Sequence, residues 1–231
     1  MTEPAPDAPF LLIIAGPNGA GKSSHWDREY RSRNLQIPYV NADEIARGMP
    51  ASPDRDKHAM FEAQRRRREH IDRRESFAFE TVFSHHGKLQ EIKLARKAGY
   101  FIQLVFIGLA NPQLCIARVQ RRVALGGHSV PVDRIPGRYA RNLENLAKAV
   151  PLVDEAAIWD NSAEDQAPRV VAEFQDGKVK TKAVSLPAWV MQALGPLLAK
   201  SKDDVKEKAP VRKQRPRASA PKPSSGKKKE S

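Results

Sequence analysis

A chain of 231 residues with 40% apolar side chains is long enough to bury a parallel sheet between helices. Its single cysteine, Cys115, excludes an intrachain disulfide framework and fits a reducing compartment. The formal charge of +13 is uneven: residues 200–231 carry 12 Lys/Arg against 4 Asp/Glu, a net +8, which leaves +5 for the rest.

Residues 1–9 are rich in Pro, Ala and acid and read as a flexible N-terminus. No basic stretch followed by a long apolar run is present there, and residues 11–15 are too few for a signal-peptide core or a membrane span. The expectation is a soluble, cytoplasmic protein that avoids membranes.

The apolar run at 11–15 leads into GPNGAGKSS, residues 16–24. This is the G-x-x-x-x-G-K-[ST] pattern, lying after a strand and before a helix, where its mechanism requires it. Glycines let successive backbone N–H groups turn inward as an anion cradle, and the following helix adds the positive end of its dipole. Gly16, Pro17, Asn18, Gly19, Ala20, Gly21, Lys22, Ser23 and Ser24 are thus expected to hold a nucleoside triphosphate. Lys22 reaches the β- and γ-phosphates, and the Ser23 hydroxyl is the expected ligand to Mg²⁺.

The helix after the loop should run from about 22 to 33, with Trp26 and Tyr30 sharing a face. Tyr39 and Val40 read as a short second strand. At its C-terminal end stands Asp43, which in a kinase would take the proton of an acceptor hydroxyl. The plain alternative is that Asp43 caps a helix. Residues 53–74 read as one long helix whose arginine run is by default a solvated face. Glu62 on this helix is a further candidate for the site.

Residues 76–81 read as a third strand that delivers Glu80 and Thr81 to the same crevice. Glu80 would bind acceptor hydroxyls or a metal-bound water; the alternative is a loop acid capping the next helix. His85 and His86 have poor spacing for a metal and read as loop. A helix over 88–97 stops at Gly99. The most apolar run, 100–109, is expected to be a buried central strand.

A helix from Asn111-Pro112 carries Cys115, Arg118, Arg121 and Arg122. A Gly-rich loop at 126–131 then leads into a helix through about 150 that carries Arg138 and Arg141. A loop between two arginine-bearing helices suits a helical lid, since arginines closing over a γ-phosphoryl group stabilise its charge and exclude water. Arg122 and Arg138 are the favoured pair, with Arg118 and Arg141 in reserve. Residues 156–162 should be the last parallel strand. Asp176-Gly177 marks a hairpin, and 187–200 a short apolar helix. From 200 onward the Lys-, Pro- and Ser-rich composition reads as a disordered basic tail.

The expected fold is therefore α/β, a P-loop NTPase three-layer α/β/α sandwich with a mostly parallel sheet, in a domain spanning 10–199. A second Gly-rich signature of transporter ATPases is lacking, as is the Asn-Lys-x-Asp motif of small GTPases. ATP is the expected donor, with GTP not distinguished.

GPNGAGKSS, VNADEIA (40–46), FAFETVFS (77–84), RVQRRVALGGHSVP (118–131), RYARNLENL (138–146) and WDNS (159–162) together resemble the zeta-toxin family of phosphate-loop kinases, in its shorter branch. The resemblance covers about residues 10–162. It implies transfer of a phosphate from ATP or GTP to a sugar hydroxyl, with UDP-N-acetylglucosamine the best-known acceptor, and restraint by a cognate antitoxin. By position it makes Asp43 the general base, Glu80 a substrate-binding acid with Thr81 beside it, and Arg122 and Arg138 the phosphate-stabilising pair. Glu80-Thr81-Val82 stands where zeta toxins proper have Glu-Gly-Thr, so the shell around the acceptor differs. A reading of another class is a nucleic-acid-associated ATPase anchored by the basic tail, and a third is a kinase of another small metabolite.

Overall fold

The computed structural model describes residues 7–127, 130–164 and 166–200. Residues 1–6, expected from sequence to be flexible, His128 and Ser129 of the Gly-rich loop, and the tail at 201–231, expected to be disordered, lie outside the described residues.

Seven strands form one sheet in the order β2-β3-β1-β4-β5-β6-β7. They are β1 (Phe10–Ala15), β2 (Tyr39–Val40), β3 (Phe77–Thr81), β4 (Phe101–Gly108), β5 (Glu155–Asp160), β6 (Arg169–Gln175) and β7 (Lys178–Lys182). The first five strands in chain order are mutually parallel; β6 and β7 add an antiparallel hairpin at one edge. Its turn, Asp176-Gly177, has φ of 51° and 73°, the two positive values that an Asp-Gly turn is suited to supply.

Leu104, Val105, Phe106 and Ile107 of β4 are each at most 2% exposed. Neighbouring residues on a strand point to opposite faces, so both faces of the sheet are covered and the architecture has three layers. The covering helices are α1 (Lys22–Glu29), α2 (Ala42–Arg47), α3 (Arg55–Arg73), α4 (Gly87–Lys97), α5 (Pro112–Ala124), α6 (Ile135–Ala149) and α7 (Ala188–Lys200).

The first helix is shorter than its sequence suggests. It ends at Glu29 and passes through a 3₁₀ turn at Arg31–Arg33. Arg33 and Leu35 both donate their N–H to the Tyr30 carbonyl, and Asn34 takes a left-handed φ of 57°. Trp26 and Tyr30 do share a face, with rings 5.6 Å apart.

The arginine run on α3 is mostly a surface ladder, as expected: Arg65 and Arg66 pair with Glu62, and Arg68 with Asp72. These partners hold Glu62 low, at about 2, on the outside of the helix. Arg67 departs from the run. It is 5% exposed, grips Glu91 of α4 through two hydrogen bonds, and stacks 5.1 Å from the Phe79 ring. A buried guanidinium needs such partners, and here they tie α3 to α4 across β3.

β1 has β3 on one side and β4 on the other. The chain leaves β1 for β2 on one side and crosses from β3 past β1 to β4 on the other, so a crevice opens beyond the C-terminal ends of these strands. The phosphate loop, Asp43, Glu80 and the helix bearing Arg118 and Arg122 all follow strands at that end.

Candidate nucleotide and acceptor site

The loop after β1 adopts the cradle its glycines permit. Gly16 lies at φ 148°, and a Cβ there would fall 2.1 Å from the Ile107 carbonyl oxygen. Only glycine lets the loop pass this close to β4. Gly21 takes φ 83° as the N-cap of α1 and has no capping side chain, so the first-turn N–H groups are left for an anion. Asn161, just past β5, donates its side-chain N–H to the Ala20 carbonyl at 2.9 Å and braces the cradle from outside.

Lys22 is 7% exposed and donates to the Pro17 carbonyl at 3.1 Å. Its Nζ lies 3.7 Å from Glu80 Oε1. Glu80 Oε2 accepts from Ser23 Oγ at 2.8 Å, from Tyr39 Oη at 2.8 Å and from Asn41 Nδ2 at 3.3 Å. The register of β1 against β3, which pairs Ile14 with Glu80 and Ala15 with Thr81, puts this carboxylate beside the loop. Tyr39 stacks flat on Trp26 at 4.0 Å, and burial together with the Glu80 charge pushes its hydroxyl well above the usual range. It therefore stays protonated and donates.

Ser23 and Glu80 fit a magnesium ion. Both offer hard oxygen atoms at one spot, and magnesium characteristically takes one or two protein oxygens and completes its shell with phosphates and water. Among the described residues no group of three His, Cys, Asp or Glu is placed to cage a metal.

Asn41, rather than Asp43, caps α2: its Oδ1 accepts from the Asp43 N–H at 2.9 Å. Asp43 is exposed in the first helical turn, with its carboxylate left out of the cap. The Thr81 hydroxyl accepts from the Phe83 N–H at 3.0 Å and so shapes the turn after β3.

Arg122 and Arg118 line a small cleft with Arg121, Leu125 and Gly127. A Cβ on Gly127 would stand 2.6 Å from Arg122 Cγ, so this glycine lets the loop fold back over the arginine. Arg118 comes nearer the cradle than its reserve status implied, with Cβ 3.0 Å from where a side chain on Gly19 would begin. A second cleft of about 420 Å³ beside it is lined by Arg118, Arg121, Asn161 and Glu164. Arg138 is half-buried at the start of α6. Burial and the adjacent Arg134 and Arg141 charges hold its pKa below the ordinary arginine value, partly offset by Asp133.

Sequence reasoning missed Tyr39, Asn41 and Asn161 as supports of the site. In sequence Tyr39 reads only as part of the second strand and Asn41 only as its C-terminal end. The signal for Asn41 was present: an Asn followed by acids before a helix is a cap pattern.

Beneath the cradle, His25 is 1% exposed with its ring edge-on to Trp159 at 4.8 Å. Burial lowers its pKa to about 4. The unfolded chain, near 6.5, then takes up a proton that the fold refuses. Stability is full above pH 6.5 and is lost as pH falls toward 4, by about 3 kcal/mol in all. Urea midpoints measured between pH 7.5 and 4.5 should fall in the wild type, and His25→Phe should flatten that dependence.

No protein-family model matches the chain. A protein of Haemophilus influenzae that carries no functional description is 29% identical over 136 residues, covering 55% of this chain and 91% of its own. AvrRxo1-ORF1:ORF2 with ATP superposes with a TM-score of 0.61 at 16% identity, over 75% of this chain and 60% of that one. A structure from the PezAT toxin–antitoxin system of Streptococcus pneumoniae matches with a TM-score of 0.55 at 14% identity, over 74% of each chain. The chain thus spans about 60% of the length of the first of these structures.

Fold and cradle together define a phosphate-loop protein with a mostly parallel α/β sheet. Within that class the chain shares its fold with chains of the AvrRxo1-ORF1:ORF2 and PezAT structures.

Proposed function

We propose that the chain is an ATP-dependent small-molecule kinase of zeta-toxin type, which phosphorylates a sugar hydroxyl, with UDP-N-acetylglucosamine the favoured acceptor. One observation carries this reading: the Glu80 carboxylate from β3 meets Lys22 and Ser23 of the phosphate loop, with Tyr39 and Asn41 holding it from β2. A donor cradle and a buried acid at one crevice are what a hydroxyl kinase needs. The AvrRxo1-ORF1:ORF2 structure with ATP supports ATP as donor.

The triphosphate would be held by residues 16–24 with Lys22 at its γ-phosphate, and the cleft lined by Arg118, Arg121, Asn161 and Glu164 would take its base. Ser23 and Glu80 would hold Mg²⁺, which when bound would supply charge neutralisation at the phosphates. The acceptor oxygen attacks the γ-phosphorus in line as the bond to the β–γ bridging oxygen breaks. Asp43 takes the hydroxyl proton and ADP leaves. Arg122 and Arg138, on either side of the Gly-rich loop, stabilise the phosphoryl charge. Glu80 and Thr81 orient the sugar. The PezAT structure, which comes from a toxin–antitoxin system, supports a protein antitoxin as partner.

The test is a phosphate-transfer screen by mass spectrometry with MgATP over nucleotide sugars, sugars and nucleosides. A nucleotide sugar gaining one phosphate is the expected product; no product from any of them sinks the favoured acceptor. Asp43→Asn should keep ATP binding within threefold and slow transfer about 10²-fold or more. Transfer at the normal rate would remove Asp43 as base.

A further inference from the structure

Helix α6 presents two fully buried asparagines, Asn142 and Asn145, one and two turns beyond Arg138. Residues three apart share a helix face, and this face meets the segment that follows β3. Asn142 donates its side-chain N–H to the Val82 carbonyl, and Asn145 donates to the Phe83 carbonyl at 2.8 Å. Arg141 Nε donates to the Ser84 carbonyl at 3.2 Å. Three consecutive carbonyls are therefore held by one helix.

The segment is also fixed from within. Phe83 has a left-handed φ of 63°, which strains an aromatic residue, and its N–H is held by Thr81 Oγ1. Its ring is 1% exposed, and Ser84 is 4% exposed. On its other side α6 is pinned to the end of β4 by Tyr139, whose hydroxyl donates to the Leu109 carbonyl at 2.8 Å.

The pair is only half satisfied. Asn142 Oδ1 and Asn145 Oδ1 are buried and accept no hydrogen bond among the described residues. Each buried amide oxygen left without a donor costs stability, which its N–H group offsets by satisfying the Val82 or Phe83 carbonyl. What the amides give in return is a defined position for residues 82–84.

We propose that Asn142 and Asn145 are positioning residues that fasten the acceptor segment, residues 80–84, to the helix bearing Arg138. The acceptor hydroxyl and the phosphate-stabilising arginine then keep one relative placement during transfer. This rests on the phosphoryl-transfer reading above. A misplacement of about 1 Å costs on the order of 10²-fold in rate, so such fastening matters even without contact to substrate.

Asn145→Asp keeps the shape and removes the N–H donor. Transfer from MgATP to UDP-N-acetylglucosamine is measured for the wild type, Asn145→Asp, Arg138→Ala and the double variant. Asn145→Asp is expected to lower kcat about 10²-fold with the Kd for ATP unchanged. The double variant is expected to be within threefold of Arg138→Ala, because the fastening has nothing left to align. Losses that multiply overturn the proposal. Asn142→Ser runs through the same cycle where Asn145→Asp does not fold.

Amide exchange on the wild-type protein needs no acceptor. The Phe83 amide should open with the same free energy as the first two turns of α6. A Phe83 amide that opens far more easily than α6 overturns the fastening. If UDP-N-acetylglucosamine gives no product, the acceptor assignment fails, and exchange alone decides the proposal.

Discussion

Arg138→Ala is expected to slow phosphate transfer about 10³-fold or more while changing ATP affinity less than tenfold. The charge at Arg138 is permanent, and of the charges acting on it Arg134, just before α6, and Arg141, on it, are alike, with Asp133 a smaller opposing one. No ion pair among the described residues neutralises it, unlike Arg65, Arg66, Arg67 and Arg68 of α3, which all have carboxylate partners. A half-buried guanidinium set among like charges is held at a cost, and an anion arriving at that place relieves it. The phosphoryl group carries most charge on its equatorial oxygens in the transition state, so the arginine acts there rather than on bound ATP. Arg138→Lys should recover only part of the rate, since the planar fork is lost. Single-turnover transfer and a fluorescent-nucleotide titration separate the two effects. Wild-type transfer by Arg138→Ala would move the clamp to Arg122.

Glu80→Gln is expected to act in opposite directions on binding and on transfer. In the ligand-free protein the Glu80 carboxylate pairs with Lys22 and accepts from Ser23, the two groups that phosphate and magnesium require. Removing its charge removes repulsion against the triphosphate, so ATP without magnesium should bind roughly tenfold tighter. Transfer with MgATP should fall roughly 10²-fold or more, because the acid no longer aligns metal and acceptor. Tyr39→Phe should weaken transfer less, since Asn41 and Ser23 still hold the carboxylate. Calorimetric titration with ATP in the presence of a chelator checks the first effect, and product mass spectrometry the second. Unchanged binding and unchanged transfer together would make Glu80 a bystander.

The phosphate loop was legible because its residues are contiguous and each has a mechanical reason. Gly16 and Gly21 occupy positions that a side chain or a negative φ would forbid. The strands were legible from apolar runs and the hairpin from Asp176-Gly177. The charge run on α3 was legible only on average. Which arginine of four turns inward depends on where Glu91 and Phe79 lie, and both belong to other elements. Asp43 shows the same limit: a cap and a base look alike in sequence, and only the hydrogen bond that the Asp43 N–H donates to Asn41 Oδ1 shows that Asn41 is the cap.

The sequence by itself determined the triphosphate cradle, the parallel α/β core and the candidate residues Asp43, Glu80, Arg122 and Arg138. These follow from short-range rules of backbone freedom, periodicity and strand-end placement. Only the tertiary structure decided that Glu80 meets Lys22 and Ser23, that Asn161 braces the loop from 141 residues away, and that Asn142 and Asn145 hold the acceptor segment. Such contacts join residues remote in the chain, and their partners are set by strand order and register rather than by local pattern.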